Sequence, residues 1–229
     1  MTRDQVLFHA LLADSAYTGQ WPAHAVPQSA AWSGCSTPLQ ATPAAHERFC
    51  PDTGLCAQVF EDLQGPILVF GGTTAGPAKG QDLMARGIDN LALHARQWVS
   101  NLQMGVGHST ENLSLAMDLF DQLSRGSAND WRLVGHSKGA SEAMAAASLG
   151  GVFVTFSGPG LPLNWHQERP TGQGQQYSVL EDPVAVLGTE LPWLVQPAEH
   201  HWIPVPDGTP KLSRHNDFAR WIKDWADLA

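Results

Sequence analysis

The chain has 229 residues, 43% of them apolar, enough to bury a sizeable core in one α/β domain or two very small ones. Its 13 Lys and Arg stand against 22 Asp and Glu, and the formal charge of −9 disfavours nucleic acid or an anionic membrane held by electrostatics. No run of about 18 apolar residues occurs, so no membrane span is expected.

The opening "MTRDQVLFHALLADSAYTG" carries acidic residues and lacks a basic region ahead of an apolar stretch. It does not read as a secretory signal, so synthesis in the cytosol is expected, and any export would proceed without a cleaved signal peptide. Thr2 and Gln5 stand at capping-box spacing, and Val6, Leu7, Ala10 and Leu11 follow at helical period, which predicts a first helix. Residues 18–56 are rich in Pro, Gly, Ser and Ala and predict an irregular segment, a cover over a site or a long connector. Cys35, Cys50 and Cys56 fall in this quarter; an odd count without a CxxC pair predicts free thiols, with a Cys50–Cys56 link as the alternative in an oxidising place. His46 has no partner at ligand spacing, and neither a metal nor a cofactor is expected.

"CAQVFED" and "GPILVFGG" predict a hairpin or neighbouring strands, the second without alternation, as in a strand buried on both faces. Residues 82–102 and 110–124 predict helices; in the second, Leu113, Ala116, Met117, Phe120 and Leu123 recur at helical spacing. "WRLVG" then predicts a strand, "ASEAMAAASL" a helix, "GVFVTFSGPG" and "QQYSVLEDPV" two more strands, and "NDFARWIKDWADL" a final helix. Strands alternating with helices predict a single α/β domain over residues 1–229, with 18–56 and 185–214 irregular and placed to cover a site.

The chemistry concentrates at "GHSKG", residues 135–139, a G-x-S-x-G pentad between a predicted strand and a predicted helix. A nucleophilic serine needs such a turn, because side chains two residues before or after it would meet backbone. The plainer alternative is that Ser137 only caps the helix that begins near Lys138. A second element is "ILVFGGTTAG", residues 67–76, a glycine-rich turn after a buried strand. It lacks the G-K-[ST] ending of a phosphate loop, and Pro77 interrupts it. Acyl transfer requires amides aimed at the developing oxyanion; Thr73 and Lys138 are the candidate donors.

With "LLADSAY", "DTGLCAQVFEDLQGPILVFGGT", "ARQWVSNL", "RLVGHSKGASEAMAAASL" and "VFVTFSGPGLP" in place, most of the chain resembles the class 3 lipases. The resemblance implies an α/β-hydrolase-like fold, a central mostly parallel sheet with helices on both faces. It also implies cleavage of lipid esters through an acyl-enzyme, with Ser, Asp and His in that order along the chain. Two positions depart from the family. Its oxyanion segment usually carries Arg where Gly71 stands, and Lys138 replaces a more usual aliphatic residue, adding a cation that would favour an anionic substrate.

In that order Asp182, in "LEDPV", is the candidate acid; Glu181 is its neighbour and rival, and an Asp-Pro turn is the plain alternative. His215, before the last helix, is the candidate base, with His201 as the alternative base and His200 beside it. His136, inside the pentad, is expected to point away and to be structural. Trp165, Trp193, Leu194, Trp202 and Ile203 either line an acyl groove or sit in the core. The expected function is a lipase or phospholipase A type serine hydrolase acting on a lipid or ester small molecule. Peripheral contact with a lipid interface, and a cognate inhibitor protein if the chain is a secreted effector, are the expected partners. A catalytically silent hydrolase-like binding protein and a thioesterase or peptidase on the same scaffold are the competing readings.

Overall fold

The computed structural model describes residues 1–42, 50, 52–72, 111–168 and 172–228. The predicted helix over 82–102 and the candidate donor Thr73 lie outside these residues.

Helix α1 (Arg3–Thr18) starts at the predicted capping box: Thr2 accepts from the Gln5 amide, and the Gln5 side chain accepts from the Thr2 amide. It stops at Gly19, whose φ of 69° closes the last turn. The short strand β1 (Val26–Gln28) follows, then the hairpin of β2 (Ala57–Asp62) and β3 (Gly65–Phe70). Helix α2 (Glu111–Ser124) leads to β4 (Arg132–His136), the turn at Ser137, and α3 (Lys138–Ala146). Next come β5 (Val152–Phe156), the two-residue β6 (Leu161–Pro162), α4 (Leu163–Glu168) and β7 (Gln173–Val179). Helix α5 (Pro183–Glu190), β8 (Leu194–Val195), β9 (Glu199–Ile203), α6 (Lys211–Asn216) and α7 (Phe218–Asp227) complete the described order.

Seven strands form one sheet in the order β1-β2-β3-β4-β5-β7-β9. The first two pairings are antiparallel and every pairing from β3 to β9 is parallel. Helices cover both faces, which is why β3 reads as an apolar run without alternation. One face packs Leu68, Phe70, Leu133 and Phe153 against α2 and α3; the other packs Val69, Val134, Phe156 and Val179 against α1 and α7. Burying roughly ten such side chains at about 2 kcal/mol each is the main favourable contribution to this architecture.

Two expectations are corrected. Cys35 and Cys50 are joined in a disulfide with their Cα atoms 5.6 Å apart, and Cys56 is the free, buried thiol. The pairing depends on the chain path: the Ala30–Leu39 bridge turns the segment back, and Trp32 is held by its indole N–H to Asp118 of α2 at 2.8 Å. Residues 185–214 are not irregular throughout, since α5, β8, β9 and the start of α6 fall there. Among the described residues no helix is long and apolar enough to cross a membrane.

Candidate active site

The parallel strands end on one side of the sheet, and the candidate residues follow those ends: Gly71 and Gly72 after β3, Ser137 after β4, Asp182 after β7, and His215 beyond β9. That edge is where open α/β sheets place their sites. Ser137 has φ 57° and ψ −127°, a strained conformation for a residue with a Cβ. Its flanking glycines are required by contact. A Cβ on Gly135 would lie 2.1 Å from the Gly139 carbonyl oxygen, and one on Gly139 would lie 2.4 Å from that of Phe70.

Ser137 occupies the cap position of α3, yet its side chain caps nothing. Its Oγ instead lies 3.0 Å from His215 Nε2. The other ring nitrogen, Nδ1, is 3.1 Å and 3.0 Å from the two carboxylate oxygens of Asp182. An Nδ1–H donated to the carboxylate leaves Nε2 with a lone pair for the serine hydroxyl. Asp182 is fully buried, His215 nearly so, and Ser137 keeps partial exposure. Arg214, next to the histidine, donates to the Leu180 carbonyl at 2.8 Å and pairs with Glu181 at 3.0 Å, tying α6 to the loop that carries Asp182.

The rivals are elsewhere. Glu181 has a side chain 61% exposed and faces Arg214. His201 is exposed on the edge strand β9, stacked on Tyr177 with ring centroids 4.8 Å apart. His200 Nε2 is 2.9 Å from Ser178 Oγ. His136 does not simply turn away: its ring lies 4.5 Å from that of His215 and 3.9 Å from that of Phe218. Burial, reinforced by the charge on His215, pushes its pKa well below the ordinary value.

Lys138 corrects the expectation of a free cation. Its side chain is 2% exposed and its ammonium pairs with Glu142 one helical turn on, near the Asn112 side chain of α2. Burial raises the Glu142 pKa, and both partners oppose that rise. Gly71 explains the other departure. A Cβ there would lie 2.4 Å from Cys56 Sγ and 3.1 Å from Ala16 Cβ, so close packing occupies the space that a larger residue would need. Of the aromatic and apolar candidates, Trp165, Leu194 and Ile203 are buried, while Trp193 and Trp202 are 40% and 39% exposed. Sequence reasoning missed Tyr17, whose hydroxyl bonds both His136 and Gly72; the one signal was a tyrosine closing a helix of small residues.

A mostly parallel sheet with helices on both faces and a strand-turn-helix serine at its C-terminal edge is an α/β-hydrolase-like fold. Residues 8–188 match the model of the Tle-like phospholipase domain, and the chain belongs to that family. No curated protein matches the chain. Among solved structures it is similar to the extracellular lipase LipA from Serratia marcescens, with 16% identity and a TM-score of 0.41 over 60% of this chain and 24% of that one. It is also similar to a deletion mutant of the Rhizomucor miehei lipase propeptide complex, with 15% identity and a TM-score of 0.47 over 89% of this chain and 67% of that one. The chain thus spans about a quarter of the length of the Serratia lipase and about two thirds of the Rhizomucor one.

Proposed function

We propose that the protein is a serine hydrolase that cleaves carboxylic esters of lipids, in the manner of a lipase or phospholipase A. The observation that carries this reading is the position of His215, 3.0 Å from Ser137 Oγ on one side and hydrogen-bonded to Asp182 on the other. His215 Nε2 takes the hydroxyl proton as Ser137 Oγ bonds to the ester carbonyl carbon. The tetrahedral adduct collapses, the alkoxide leaves with the proton from His215, and the acyl group stays on Ser137. Water, deprotonated by the same imidazole, then attacks; the carboxylic acid departs and the serine regains its proton. Asp182 holds the imidazole in its Nδ1–H form and stabilises the cation that forms twice per cycle.

The oxyanion would be met by backbone amides. The first amides of a helix have no acceptor within it, and that of Lys138 opens α3 directly after the nucleophile. The Thr73 amide is the proposed second donor. Contact with a lipid interface is part of the proposal, supported by the exposed Trp193 and Trp202. So is function outside the reducing cytosol, supported by the Cys35–Cys50 disulfide.

The test is mass analysis of mixed lipids incubated with the parent and with Ser137→Ala. The parent is expected to release fatty acids and leave lyso- or diacyl products, and the variant to release none. A variant that hydrolyses lipids or p-nitrophenyl esters at the parent's rate would remove Ser137 from the mechanism.

A further inference from the structure

Tyr17 sits in the last turn of α1, far along the chain from the pentad, yet its hydroxyl oxygen has two partners there. The Gly72 amide is 3.1 Å from it and His136 Nδ1 is 2.8 Å from it. An amide only donates, so the phenol oxygen accepts from Gly72, and the same hydroxyl is hydrogen-bonded to His136 Nδ1. Burial pushes the Tyr17 pKa up and the His136 pKa down, which favours the neutral form of each.

Each partner leads into the site. Gly72 is wedged beside the nucleophile: a Cβ on it would lie 2.3 Å from the Tyr17 oxygen, 2.7 Å from the His136 carbonyl oxygen and 3.1 Å from Ser137 Cβ. His136 leads to the base, stacked on Phe218 with an interplanar angle of 7° and packed against the His215 ring. The His215 backbone carbonyl is near enough to raise the His136 pKa against its burial, although Nε2 makes no hydrogen bond of normal geometry.

We propose that Tyr17 is a positioning residue, one phenol that sets the Gly72 backbone against Ser137 on one side and, through His136, the imidazole of His215 on the other. The inference rests on the serine-hydrolase reading above. If the hydroxyl only satisfied buried groups, its loss would lower stability and leave the rate per folded molecule unchanged. If it positions the site, the rate falls even where the protein is fully folded, because small misplacements of reacting groups cost rate far more than binding.

The experiment measures fluorophosphonate labelling of Ser137, and kcat and KM on p-nitrophenyl butyrate, for the parent, Tyr17→Phe, His136→Asn and the double variant. Tyr17→Phe is expected to lose about 10- to 100-fold in labelling rate and kcat, with KM within about twofold. His136→Asn keeps a polar amide where Nδ1 stood and is expected to lose less, and the double variant to fall no further than Tyr17→Phe. Labelling and kcat in folded Tyr17→Phe within about twofold of the parent, or losses that multiply in the double variant, would overturn the proposal alone. Should Tyr17→Phe fail to fold, an unchanged kcat in His136→Asn overturns it equally. A parent that is not labelled at Ser137 sinks the hydrolase reading and this inference with it.

Discussion

Asp182 Oδ1 accepts from the Val184 and Ala185 amides at 2.9 and 3.2 Å while lying 3.1 Å from His215 Nδ1, so one carboxylate both caps α5 and orients the imidazole. The two sequence alternatives for this residue, turn former and candidate acid, are compatible with one geometry.

Separating the two roles gives a first prediction. Asn caps helices about as well as Asp, but it cannot stabilise an imidazolium or hold the Nδ1–H tautomer. Asp182→Asn is therefore expected to leave the melting temperature within a few degrees of the parent while kcat falls on the order of 10³- to 10⁴-fold. Calorimetry and ester turnover on one sample check both halves, and turnover within about tenfold of the parent would leave Asp182 with the cap alone.

Ser137 gives a second prediction from its backbone. With φ at 57° it holds a conformation that glycine adopts without strain. Ser137→Gly is expected to abolish turnover and to raise stability by about 1 kcal/mol. Chemical denaturation reads the gain, and a loss of stability would mean that the turn is not under strain.

The Lys138–Glu142 pair, 2% and 0% exposed, gives a third. Removing one charge of a buried pair strands the other, at a cost of about 3–5 kcal/mol. Glu142→Gln is expected to destabilise by that order, and Lys138→Met added to it to recover most of the loss. Urea unfolding of the three proteins decides; a Glu142→Gln protein as stable as its parent would show that the ammonium finds water or another acceptor.

Acid sensitivity gives a fourth. Burial first and the His201 charge second lower the His200 pKa from 6.5 to about 4, and burial does the same to His9 on α1. Below pH 6.5 the unfolded chain takes up protons that the folded chain resists, so stability is complete above that pH and declines toward pH 4. His200→Gln, which keeps a polar group opposite Ser178, is expected to lose less between pH 7 and pH 5 than the parent does. Equal losses in urea titrations would assign the sensitivity to other groups.

The parts of the candidate site that were legible in the sequence are those that local sterics dictate. Gly135 and Gly139 announce the turn at Ser137 because nothing larger fits there, and Asp182 before Pro183 announces a strand end. His215 was reachable through chain order, whereas its two neighbours in contention, His200 and His201, differ from it only by where β9 lands in the sheet. What stayed hidden depends on distant contact. The i,i+4 spacing of Lys138 and Glu142 is visible in the sequence, but their burial against α2 is not. Cys35 was unreadable as the partner of Cys50 because the Ala30–Leu39 bridge creates their proximity. Strand β8 has two residues and exists only through its pairing with β6, so no local pattern marks it.

The Cys35–Cys50 bond makes the redox buffer part of the specimen. It closes a loop across a sequence separation of 15, a constraint worth about 3 kcal/mol in the chain-entropy account. A preparation kept in millimolar dithiothreitol and one kept without it would share every residue and still melt at different temperatures. Stability measurements from two laboratories would then disagree for a reason that lies in the bottle rather than in the gene.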